Sequence, residues 1–136
     1  MTEQPTVLIV DDEPDAREMV SYTLYRMLGW RSIVAADARD ALAKVEEQGC
    51  VELALLDVMM PHMSGMELFD LLKVRCPGVR GIFISAFNDA ARMMQAARQG
   101  AFYYLSKPLS IRQLLDVVQR AWQDVQEGDL PGVGKG

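Results

Sequence analysis

Short runs of apolar and β-branched residues alternate along this chain with longer stretches whose apolar positions recur every three or four residues. The runs are Val7 to Val10, Ser32 to Ala35, Leu53 to Leu56, Gly81 to Ile84 and Phe102 to Leu105. Most lack an in-and-out alternation, which is the pattern of strands covered on both faces by helices. "RSIVAA" is the least apolar of them and reads as the edge strand.

The stretches between carry helix punctuation. Pro14 suits a first helical turn, and Gly29 closes a helix whose predicted inner face is Ala16, Val20, Leu24, Met27 and Leu28. Asp37 caps a second helix with Ala38, Ala41, Leu42 and Val45 inward, ended by Gly49. Ser64 and Glu67 have capping-box spacing ahead of Leu68, Leu71 and Leu72. Asn88 or Asp89 opens a fourth helix with Met93, Met94 and Ala97 on one side and Gly100 at its end. Ser110 with Gln113, and Leu109 with Leu114, announce the fifth, whose stripe is Ile111, Leu114, Leu115, Val118, Trp122 and Val125.

Five β-then-α units predict an α/β domain: a doubly wound, five-stranded parallel sheet with five helices on its two faces. At 136 residues the chain fits one such domain, expected over residues 1–127, with the Gly- and Pro-rich 128–136 as a frayed end or linker stub. A net charge of -5 argues against nucleic-acid binding by this domain or attraction to an anionic membrane. No run of about 18 apolar residues is present, and "MTEQPT" lacks the layout of a signal peptide, so a cytoplasmic location is expected. Cys50 and Cys76 have no metal-type spacing; in a reducing compartment they are expected as free thiols.

In sheets of this kind ligands bind at the carboxyl ends of the strands, near the point where strand order reverses. Asp11 and Asp12 follow the first run, Asp57 the third, Ser85 the fourth and Lys107 the fifth. Three carboxylates brought together repel unless a cation holds them. An all-oxygen donor set with room for water suits Mg²⁺. Adjacent residues of a regular strand face opposite ways, so a turn is needed for Asp11 and Asp12 to serve one site. A carboxylate beside a metal, a lysine and a hydroxyl is equipped for phosphoryl chemistry.

"VDDEP", "LLDVMMPHMSG", "SAF" and "KP", each closing a predicted strand in this order, resemble the receiver domains of two-component response regulators over about Val7 to Val125. The resemblance implies a flavodoxin-like (CheY-like) fold and a signalling module rather than an enzyme. Asp57 would accept a phosphoryl group from the phosphohistidine of a sensor kinase or phosphotransfer protein. Asp11, Asp12, Asp57 and the Met59 carbonyl would hold Mg²⁺, and Lys107 and Ser85 would contact the phosphoryl oxygens. Ser85 and Tyr104 would form the switch, and the Lys107–Pro108 peptide would be cis. Pro61 and Gly65 fall at the family's turn positions. The signalling face would be the fourth helix, fifth strand and fifth helix, serving an output domain, an effector or a homodimer, with Arg92, Arg98, Asp116 and Arg120 as charged contacts. The alternative is a pseudo-receiver that binds partners without phosphate.

Other residues read more plainly. His62 is expected as a solvated loop residue and not a catalytic base, and Trp122 as a cover for the core. Tyr103 should face away from Tyr104. Among Met59, Met60, Met63 and Met66, packing is expected for Met60 and partner contact for the others.

Overall fold

The computed structural model describes residues 4–87 and 89–128. Five strands, β1 (Val7–Val10), β2 (Ser32–Ala35), β3 (Leu53–Asp57), β4 (Arg80–Ser85) and β5 (Tyr103–Ser106), form one sheet in the order β2-β1-β3-β4-β5, every pair parallel. The helices between them are α1 (Pro14–Leu28), α2 (Ala38–Gln48), α3 (Gly65–Arg75), α4 (Ala90–Arg98) and α5 (Ile111–Gly128). "RSIVAA" is an edge strand, as its weaker apolar character suggested. The predicted tail lies outside the described residues except for Gly128, the last residue of α5.

Side chains leave each strand alternately to the two faces. Leu8, Val10, Ala54, Leu56 and Phe83 pack under α2, α3 and α4, whereas Val7, Ile9, Leu53, Leu55, Ile82, Ile84 and Leu105 pack under α1 and α5. Both sets are buried, which is why the central runs show no alternation of polarity. Tyr104 joins the first cluster and Tyr103 the second, so the two rings face opposite sides. Trp122 packs on the second cluster. The sheet's central strands are tight enough that a Cβ at Gly81 would meet the Phe69 ring at 2.7 and 2.8 Å.

Helix punctuation behaves as read. Asp37 accepts the Asp40 N–H, Asp89 accepts the Arg92 N–H, and Ser64 and Glu67 form a full capping box. Ser110 accepts the Gln113 N–H at 3.2 Å. Several inner faces were misread. Met27, Leu71, Met93, Met94, Ala97 and Ile111 are exposed, while Thr23, Phe69, Ala96, Val117 and Ala121 take buried places. In α4 the small Ala96 is the buried residue, and Met93 and Met94 lie on the exposed side. Met66 is buried and Met63 packs on the core, so partner contact is withdrawn for both; Met60 packs as expected.

The cysteine expectation is also overturned. Cys50, after α2, and Cys76, after α3, are joined as a disulfide, with Cα atoms 5.5 Å apart. That separation lies in the bonding range, and the fold creates it by bringing the ends of two adjacent helices together. The Arg75–Glu46 ion pair ties the same two helix ends.

Candidate functional site

Strand order reverses between β1 and β3: the chain leaves β1 for β2 at one edge and then crosses to β3 on the other side of β1. Asp11 follows β1 and Asp57 ends β3, so the crevice predicted from topology is where the acids meet. Ser85 ends β4, and Lys107 follows β5 directly.

The sequence question about adjacent acids has a structural answer. β1 stops at Val10, and the chain bends before α1. Asp11 points inward, only 5% exposed, and its Oδ1 accepts the Glu13 N–H at 2.9 Å. Asp12 lies exposed in the bend, yet one oxygen from each of Asp11, Asp12 and Asp57 falls within 4.8 Å of the others. This oxygen-only cluster fits a hard divalent cation, which would relieve the repulsion of three carboxylates. The Met59 side chain is 46% exposed at the rim, and its backbone N–H donates to Asp57 Oδ1 at 3.3 Å.

Lys107 Nζ stands 3.4 Å from Asp11 Oδ2, 3.4 Å from Glu13 Oε1 and 3.6 Å from Asp57 Oδ2. Burial works to lower the Lys107 pKa, but Asp57 and Asp11 more than reverse it and hold the ammonium above its ordinary value. Asp57 is 5% exposed; burial first, and the neighbouring Asp11 second, push its pKa up to about 7, against the pull of Lys107. A carboxylate so unsettled in the absence of metal is a candidate functional group. Ser85 is fully buried, and its Oγ accepts the Phe87 N–H at 3.0 Å. The Tyr104 hydroxyl donates to the Phe87 carbonyl. The Lys107–Pro108 peptide is cis.

The family model for the response regulator receiver domain matches residues 7–119. The chain belongs to that family. It is 38% identical over 126 residues to the response regulator protein FleR of Pseudomonas aeruginosa, covering 93% of this chain and 25% of that protein. It is 34% identical over 116 residues to the DNA-binding transcriptional regulator NtrC of Azospirillum brasilense, covering 85% of this chain and 24% of that protein. The chain thus spans about a quarter of the length of these two relatives. Among solved structures, a CheY-like receiver domain protein of Methanospirillum hungatei superposes with a TM-score of 0.84 at 27% identity, covering 93% of this chain and 99% of that one. The chemotaxis protein CheY4 of Vibrio cholerae gives 0.78 at 30% identity, covering 87% and 98%. The receiver is therefore a CheY-like α/β domain, and no helix among its described residues is long and apolar enough to cross a membrane.

The geometry brings together Asp11, Asp12, Asp57 and Lys107, and sets Ser85 and Tyr104 on opposite sides of one backbone unit, Phe87. Sequence reasoning passed over Glu13 as a partner of Lys107, although a third acid in "VDDEP" was visible. His62 sits exposed in the loop with a φ of 71° and is not a member of the Asp11, Asp12 and Asp57 cluster.

Gly65 also carries more than a turn. Its N–H donates to the Val58 carbonyl at 3.0 Å, and a Cβ there would press on the Asp57 carbonyl oxygen, with the carbonyl carbon at 3.0 Å and Val58 Cα at 3.2 Å. These are backbone atoms, unable to yield as a flexible side chain would. Gly65→Ala is expected to cost about 2 kcal/mol, as overpacking of a tight site does, and to weaken divalent-cation binding by displacing Asp57. Denaturant unfolding and a Mg²⁺ titration check both; an unchanged midpoint would show that the loop relaxes freely.

Proposed function

We propose that this receiver accepts a phosphoryl group on Asp57 from a phosphohistidine of a sensor kinase or phosphotransfer protein and thereby switches a partner-binding face. The observation that carries the reading is Lys107 Nζ set 3.4 to 3.6 Å from the carboxylates of Asp11 and Asp57, in a cluster whose third acid is Asp12. Asp11, Asp12, Asp57 and the Met59 carbonyl would hold Mg²⁺, which supplies charge neutralisation for the transferring group when bound. An Asp57 oxygen attacks phosphorus, the phosphorus–nitrogen bond breaks, and its electron pair returns to the donor imidazole. Lys107 meets the phosphoryl oxygens as a compact cation, and the Ser85 hydroxyl donates to another. The added charge of about -1.5 to -2 would bias the arrangement of Ser85, Tyr104 and α4.

The phosphoryl state ends when water attacks phosphorus and the carboxylate leaves, so the domain is a signalling module rather than an enzyme acting on outside substrates. A cytoplasmic setting fits that donor. The output domain or effector, and a homodimer through α4, β5 and α5, belong to the same reading. On that face Arg92 pairs with Asp89, while Arg120 pairs with Asp116 and lies over the Tyr103 ring.

Incubation with Mg²⁺ and acetyl phosphate, followed by intact mass spectrometry, tests the proposal. A phosphoryl adduct that a chelator prevents is expected. A protein that binds no Mg²⁺ and gains no mass would instead be a pseudo-receiver. Met59 and Phe87, about half-exposed and apolar at the rim, are expected to impede attacking water. Met59→Asn should therefore shorten the adduct's half-life by about fivefold, roughly 1 kcal/mol of barrier; a half-life equal to the parent's or longer would remove the side chain from this role.

A further inference from the structure

Phe87 holds three neighbours at once. Its N–H donates to Ser85 Oγ at 3.0 Å, its carbonyl accepts from the Tyr104 hydroxyl, and its ring lies 5.2 Å from the Arg92 guanidinium. Arg92 is anchored in turn. Its Nη1 pairs with Asp89 Oδ2 at 2.6 Å, and its backbone N–H donates to Asp89 Oδ1 at 2.9 Å. Along α4, Ala90, Ala91, Met93 and Met94 are exposed, and among its described residues Ala96 is the buried one.

We propose that Arg92 is a positioning residue for the phosphoryl site, clamping the Phe87 ring so that the Phe87 backbone orients the Ser85 hydroxyl and holds Tyr104. The inference rests on the phosphoryl-acceptor reading above and names the residue that sets its hydroxyl. A serine hydroxyl has one proton to give and two lone pairs. With the Phe87 N–H already donating to Oγ, that proton is left to donate to a phosphoryl oxygen. The same peptide segment takes the Tyr104 proton on its carbonyl, so hydroxyl and ring are linked through main-chain atoms that carry no sequence signature. A planar guanidinium both stacks on the ring and pairs with Asp89, a double task that an ammonium performs only in part.

Two measurements on Arg92→Ala, Arg92→Lys, Phe87→Leu and the Arg92→Ala, Phe87→Leu double variant test the clamp. The first is hydrogen exchange at the residue 87 amide in the unphosphorylated protein. The second is the rate of adduct formation with acetyl phosphate and Mg²⁺. Arg92→Ala should raise amide exchange and slow phosphoryl uptake, each about two- to fivefold, the size of one exposed cation–π contact. Arg92→Lys should recover part of both, and Arg92→Ala should add nothing in the Phe87→Leu background. No change in either reading, or effects that simply multiply in the double variant, overturns the clamp. The exchange reading needs no phosphorylation. A parent that gains no adduct but shows the exchange pattern overturns the phosphoryl reading and keeps the clamp; a parent that gains it and ignores Arg92 does the reverse.

Discussion

Replacing Asp57 with asparagine is expected to abolish the phosphoryl adduct and, without metal, to make the protein more stable at neutral pH. The first effect follows because an amide oxygen is no substitute for the carboxylate nucleophile. The second follows from linkage. Asp57 has a pKa near 7 in the folded protein against 3.8 ordinarily, so the native state binds its proton more tightly than the unfolded chain does. Its contribution to stability is fully present below about pH 4 and is lost as pH rises through about 7. Above that, an ionised Asp57 stands beside Asp11 in a buried site, and asparagine removes the conflict. The full shift is worth about 4 kcal/mol; with water reaching the crevice, about 2 kcal/mol is the expected gain at pH 8. The gap between parent and Asn variant should shrink steadily toward pH 5. Mg²⁺ should raise the melting temperature of the parent and not that of the variant, since the cation does for the parent what the substitution does for the variant. A variant no more stable than the parent at pH 8 would mean that Lys107 already balances the cluster.

The central strands were legible because each holds an apolar run between polar punctuation, and burial on both faces demands that composition. Ser64, Asp37 and Asp89 announced their helices because a side-chain oxygen must meet the free N–H groups there. Helix faces were less legible. Met93 and Met94 look like core residues by type, yet α4 buries Ala96 and leaves both exposed, and residue type does not settle which side of a helix turns inward. The acid cluster could be located from strand ends because backbone topology alone carries Asp11 and Asp57 to the switch point. Glu13, Arg92 and the carbonyl of Phe87 could not, since their roles depend on side-chain reach and on backbone atoms that every residue shares. Gly65 was readable as a turn and not as a spacer against the Asp57 carbonyl, because the crowding atom belongs to a residue outside the turn, at the end of β3.

Reducing the Cys50–Cys76 bridge, or substituting Cys50→Ser, is expected to lower stability by about 3 kcal/mol and the melting temperature by about 10 °C, while leaving phosphoryl uptake intact. The two residues are 26 apart in sequence, and the unfolded chain regains the entropy of that loop once the bond is gone. The native fold loses little by comparison, because the Arg75–Glu46 pair and the α3 capping box remain. Activity is insulated by geometry. Cys50 precedes β3 and Asp57 ends it, so the length of the strand, about 3.3 Å per residue, separates the bridge from the acid cluster. Melting curves with and without reductant check the first claim: the parent should drop to the level of Cys50→Ser, which should itself ignore reductant. Acetyl phosphate labelling of the same samples checks the second. Slower labelling on reduction would mean that the far ends of α2 and α3 help to set Asp57, which neither the strand register nor the Gly65 contact requires. With labelling unchanged, as expected, the dithiol form is the working form in a reducing compartment, less stable by the loop entropy and equally able to take the phosphoryl group.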